Sequence, residues 1–150
     1  MPPYNATSWK KLVTSLSDEA EFGLPAAEAH IAAVEQSLGL ELPPALRDFL
    51  READGMKAHY SEMIWPAAEI ERRNREFRAN PDFRSLYMPF DHLLFFGDDG
   101  GGDQFAFAID ADGEIRKLDV FRWEHESDSR SWFAGRLEQF FERISRPAEE

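Results

Sequence analysis

Leu93-Leu94-Phe95-Phe96-Gly97-Asp98-Asp99-Gly100-Gly101-Gly102-Asp103-Gln104-Phe105-Ala106-Phe107-Ala108-Ile109-Asp110 places two apolar runs on either side of a turn built from glycines and aspartates. Leu93 to Phe96 is too short for a helix and apolar on both faces, which describes a central strand. Gln104 to Ile109 alternates, with Phe105, Phe107 and Ile109 on one face, so the two runs are expected to pair across the turn. Glycine there lets the backbone enter positive φ and approach a partner closely, and the carboxylates of Asp98, Asp99 and Asp103 concentrate negative charge on the loop.

Downstream, Asp110-Ala111-Asp112-Gly113 has the chemistry of a tight turn. Glu114 to Val120 then reads as a third strand with a bulge near Lys117, completing an antiparallel meander. Trp132, Phe133, Leu137, Phe140, Phe141 and Ile144 form a broad apolar face that predicts a last helix from about Asp128 or Ser129, with Arg136, Glu138 and Arg143 in water. Upstream, Trp9, Leu12, Val13 and Leu16 follow helical spacing behind an N-cap at Thr7 or Ser8. Pro25 opens a second helix striped by Ile31, Val34 and Leu38 and stopped at Gly39. Leu42-Pro43-Pro44 forces an extended entry to a third helix, carried by Leu46, Phe49, Leu50 and Ala53 and ended by Gly55. Met63-Ile64-Trp65 reads as a brief strand. Pro66 starts a polar helix over Ala67 to Ala79, anchored by Ile70 and Phe77 and closed by Pro81. Helices, then strands, then a helix give an α+β class: a small antiparallel sheet with N-terminal helices and a C-terminal helix packed on it. The expected organisation is one domain over 1–150, with its core at about 8–145 and a polar tail after 146.

The chain has 150 residues, 43% of them apolar and thirteen of them Phe. A domain of this size buries roughly 70% of its unfolded surface and needs no staple. With 29 acidic and 17 basic side chains the formal charge is −12, which repels nucleic acid and anionic membranes and steers a basic protein inward. Acidity of this kind also serves solubility alone. There is no cysteine, so thiolate nucleophiles, thiolate metal sites and disulfides are excluded. Met1 to Asn5 lacks the basic start of a targeting signal, and no run reaches the length of a membrane span; the expected location is the cytoplasm.

Enzyme motifs are missing: there is no phosphate-binding loop, no Gly-x-Ser-x-Gly elbow and no His-Glu-x-x-His helix. The spacing of Asp98, Asp99, Asp103 and Asp110 matches no calcium loop, and neither a metal nor a cofactor is expected. His30, His59, His92 and His125 are scattered. His125 between Glu124 and Glu126, and His92 after Asp91, are the two placed for carboxylate support or for a plain acidic surface. Trp65 and Trp123 at strand edges, with Trp9 and Trp132, are expected to complete the core. The run Glu71 to Arg78 reads as the solvated face of a helix.

Three segments together carry a family resemblance. Leu40-Glu41-Leu42-Pro43-Pro44-Ala45-Leu46-Arg47-Asp48-Phe49-Leu50 followed by Asp54-Gly55 resembles the helix, Leu-Pro, helix, Asn/Asp-Gly signature of the SUKH superfamily. That superfamily groups fungal cell-wall assembly regulators with bacterial toxin-immunity proteins. Phe96-Gly97-Asp98-Asp99-Gly100-Gly101-Gly102-Asp103 is similar to its Phe-Gly-x-x-Gly-Gly-Gly-Asp strand and turn, and Trp65 before Glu69-Ile70 stands at its usual tryptophan place. The resemblance spans about residues 8 to 145. It implies a non-enzymatic protein-binding domain, with a basic toxin domain as the expected partner. An inhibitor of a nuclease would present carboxylates where the enzyme takes phosphates, which nominates Asp98, Asp99, Gly101 and Asp103, with Glu52 and Asp54 nearby, as contacts. The alternatives are that the loop is only a capped bend, that the domain is a housekeeping adaptor, or that the acidic loop serves a metal-dependent hydrolase.

Overall fold

In the computed structural model, which describes residues 9–59 and 61–145, the second helix starts at Glu28 behind Ala27 and not at Pro25, whereas the third starts on Pro44 as expected. α1 (Trp9–Leu16) precedes a two-residue strand, β1 (Glu21–Phe22). The expected cap at Thr7 or Ser8, like the tail after 146, lies outside the described residues. α2 (Glu28–Leu38) buries Ile31 and Val34 and ends at Gly39, whose φ is 72°. α3 (Pro44–Glu52) starts on its proline and buries Leu46, Phe49 and Leu50. A hairpin of β2 (Met56–Ala58) and β3 (Ser61–Ile64) leads to α4 (Ala67–Ala79). Pro81 closes α4 and opens an unforeseen short helix, α5 (Pro81–Leu86), capped by the Asn80 side chain accepting the Asp82 N–H at 2.8 Å.

The second half is β4 (Leu93–Asp98), β5 (Gln104–Ala108), β6 (Val120–Glu124), β7 (Ser129–Ala134) and α6 (Leu137–Ser145). The fold is α+β, as expected, but with two antiparallel sheets, ordered β1-β2-β3 and β4-β5-β6-β7. Phe95 and Trp123 face Phe77 of α4 with ring centroids 4.9 and 5.9 Å away. Phe96 and Phe105 on the opposite face meet Phe140 of α6 at 5.2 and 4.9 Å. Trp9, Phe49 and Phe141 lock α1, α3 and α6 together at 5.5–6.1 Å.

Four expectations fail in the second half of the chain. The turn at Asp110–Gly113 forms, with the Gly113 N–H on the Asp110 carbonyl at 2.9 Å, but the third strand runs over Val120–Glu124 and not Glu114–Val120. Residues 114–119 offer only Ile115 and Leu118 to bury, whereas Val120 and Trp123 are both buried. The register irregularity accordingly falls at Val120–Phe121 rather than Lys117. The last helix begins at Leu137, because Ser129–Ala134 pairs with β6 as a strand. Trp132, expected in the core, is 53% exposed, while Trp9, Trp65 and Trp123 are buried.

The two sheets meet at β3 and β4. The Trp65 N–H donates to the Phe96 carbonyl at 2.8 Å. A methyl built on Gly97 would stand 1.9 Å from the Met63 carbonyl oxygen, so the backbones touch where the Phe-Gly motif falls. The run Glu71 to Arg78 is not simply a solvated face: Asn74 is 1% exposed. Its side chain accepts the Phe95 N–H at 2.9 Å and donates to the Phe95 carbonyl at 2.8 Å. Arg78 donates to the Leu93 carbonyl at 3.2 Å.

Candidate interaction site at the acidic glycine-rich loop

The loop joining β4 to β5 is held by its own aspartates. Asp98 accepts the Gly100 N–H at 2.9 Å through Oδ1 and the Trp65 indole N–H at 2.8 Å through Oδ2. Asp99 accepts the Gly101 N–H at 2.9 Å and Arg122 at 3.2 Å. Asp103 takes the most: Arg122 at 2.9 Å, the His125 N–H at 3.1 Å and the His125 Nδ1 at 2.8 Å. Gly102 has φ 109°, and a methyl on it would meet the His125 ring at 2.6 Å. That position therefore requires glycine on two counts, conformation and space. Gly100, Gly101 and Gly102 form the exposed tip.

This arrangement corrects the picture of a bare negative loop. Arg122 bridges Asp99 and Asp103. Arg73 stands 3.8 Å from Asp98 while its guanidinium lies 4.6 Å over the Trp65 ring. Burial alone would push the Asp103 carboxyl up, but hydrogen bonds from His125 and Arg122 outweigh it and hold the group below the ordinary carboxylate value. The loop presents a fixed shape whose charge is largely balanced by its neighbours.

Asp54 and Glu52 do not join it. Asp54 accepts the Ala67 N–H at 2.7 Å and so caps α4 from a distance. Glu52 accepts the Trp9 and Lys10 N–H groups at 3.3 and 3.0 Å and caps α1. Each satisfies amides that a helix start leaves without an internal partner, and among the described residues no hydrogen bond or ion pair links either to the loop.

Sequence spacing missed Arg73, Arg122 and His125 as members of this network; of the two readings left open for His125, carboxylate support holds, but the carboxylate is Asp103 and not the adjacent Glu124 or Glu126. His92 pairs with Arg130 at 3.1 Å; burial and that guanidinium push the imidazole below its usual value. Among the described residues no three metal-ligating side chains converge, and His125 is the one histidine bonded to the loop. Cavities of about 790 and 690 Å³ open beside the α2–α3 junction and beside His59, neither lined by a loop residue. No helix among the described residues is long and apolar enough to cross a membrane.

A search of curated proteins finds no match. A family model does match, that of the SMI1 / KNR4 family (SUKH-1), over residues 25–143. The match takes in the α2–α3 signature, Trp65, the Gly97–Asp103 loop and most of α6, so the chain belongs to the SMI1 / KNR4 family (SUKH-1).

Proposed function

We propose that this protein is a non-enzymatic binding domain of the immunity type, which neutralises a cognate bacterial toxin in the cytoplasm by direct contact with a basic toxin domain. The observation that carries the reading is the loop at Asp98–Asp103. Every one of its carboxylates is spent on holding the loop still, and a surface ordered before contact loses little entropy on binding. The loop offers an exposed tip, Gly100–Gly102, on a base that its own hydrogen bonds hold. Long-range attraction comes from the charge of −12 over the whole chain.

Co-production with the toxin domain encoded beside its own gene, with growth and calorimetry as readouts, tests the proposal. Rescue of growth together with a stoichiometric complex is expected. Absence of both, with the protein instead bound to an unrelated assembly, would make it a housekeeping adaptor. Asp99→Lys addresses the loop itself, because it leaves the Asp98–Trp65 and Asp103–His125 bonds in place. Slower association at low salt is expected, and unchanged kinetics would remove the loop from the contact face.

A further inference from the structure

A strand edge exposes unpaired N–H and C=O groups, and proteins cover it, shorten it or charge it. Here β1 is two residues long, and β4 is covered by Asn74, Arg78 and the Trp65 N–H. β7 is six residues long and pairs with β6 alone among the described residues. It carries no proline and no lysine, and its single basic side chain is turned away. Arg130 has 9% of its side chain exposed. It lies 4.7 Å over Phe90 and donates to the Met88 and Pro89 carbonyls and to Asp128.

What the strand does present is Ser129, Ser131 and Trp132. Trp132 is 53% exposed yet held in place, its indole N–H donating to Asp119 Oδ2 at 2.8 Å. Among the described residues no cation pairs with Asp119, and Leu118 beside it is 43% exposed. An open strand edge, a fixed exposed indole and an uncompensated carboxylate thus occur together.

We infer that the β7 edge docks an extended basic segment of a partner protein, which adds as a further strand and lays a lysine or arginine over the Trp132 indole, its charge on Asp119. Main-chain bonds give such a contact its affinity and the side-chain subsite gives it specificity. A cation over tryptophan is the strongest of the cation–π pairs, and tryptophan is the residue most enriched among interface hot spots. A second copy of this chain is the wrong occupant, since each copy carries −12 and would repel the other. The inference rests on the reading above only in assigning the segment to the toxin.

The probe is the peptide acetyl-Val-Arg-Val-Lys-Val-amide, with acetyl-Val-Glu-Val-Glu-Val-amide as control, titrated into the ¹⁵N-labelled full chain. The Trp132 indole resonance and the β7 amides should move with the basic peptide alone, and Asp119→Asn, which keeps the shape of the side chain, should abolish the response. Shifts confined to residues 98–103, an equal response to the acidic peptide, or an undiminished response in Asp119→Asn would overturn the inference. So would a dimer by sedimentation that Trp132→Ala dissolves. Against a toxin domain, Trp132→Ala should weaken binding about thirtyfold. A toxin complex indifferent to both substitutions sinks the docking edge and leaves the immunity reading standing. Peptide binding at β7 with no toxin complex does the reverse.

Discussion

The four-stranded sheet has two edges, and the chain treats them oppositely. Along β4 each outward polar group for which a partner is seen is met by another element: Arg78 on the Leu93 carbonyl, Asn74 on both polar groups of Phe95, Trp65 on the Phe96 carbonyl. Along β7 the outer side meets no other strand among the described residues, and a large aromatic side chain stands half in water. The difference separates what the fold needs from what it can spare. β4 is where the two sheets become one body, so its edge must close; β7 can remain open because β6 and α6 already hold it in place.

The sharpest way to break the comparison is to force the closed edge apart. In Gly97→Ala the new methyl falls 1.9 Å from the Met63 carbonyl oxygen, a backbone atom that cannot rotate aside. The expected outcome is a loss of about 4 kcal/mol or more, read as failure to recover folded protein or as a collapsed urea midpoint. A near-normal midpoint would mean that β3 and β4 slide freely.

Next in size is Asn74→Ala. It strips partners from the buried N–H and C=O of Phe95 without touching the hydrophobic core. Leaving two buried backbone groups unpaired should cost about 3 kcal/mol in equilibrium unfolding. A loss below about 1 kcal/mol would show that water reaches this edge and that it is no more sealed than β7.

Asn74 also shows where the sequence stops being legible. The α4 helix was readable from Pro66, Ile70 and Pro81, but in a run with Arg72, Arg73 and Arg75 nothing local marks Asn74 as the residue that turns inward to a strand 21 positions away. The helix stop at Gly39 and the proline starts were readable because those signals act within a few residues. β7 was misread because Trp132 and Phe133 extend the helical spacing of Leu137, Phe140 and Phe141. Gly135, a helix breaker between the two sets, was the available clue. The loop was legible in composition and not in wiring. Trp65 reaches Asp98 across 33 residues and His125 reaches Asp103 across 22, and such pairs are decided by the sheet register.

Asp103 tests the loop against both edges. Its carboxyl is held below the ordinary value in the folded state, so the unfolded chain takes up the proton first as pH falls. The stabilisation is therefore complete above about pH 4 and fades as the pH drops through the lower folded value. Asp103→Asn should cost about 2 kcal/mol near neutral pH, with the gap to the unaltered chain narrowing in acid. A gap that stays constant to the lowest pH at which the protein is folded would mean that the shape of the side chain, not its charge, ties His125 and Arg122 to the loop.

The smallest effect is expected at Trp132, and it carries the comparison furthest because stability and binding should separate there. With half its surface in water and one bond to a half-buried carboxylate, Trp132→Ala should cost about 1 kcal/mol or less in thermal or urea unfolding, as for other surface positions without a buried partner. Trp123, on the neighbouring strand and packed against Phe77, Tyr87, Phe90 and Phe95, would lose about 4 kcal/mol on the same truncation. Two tryptophans nine positions apart would then differ by about 3 kcal/mol in what the fold demands of them. A loss at Trp132 that approached the Trp123 figure would make it a structural residue and close the β7 edge as firmly as Asn74 closes β4.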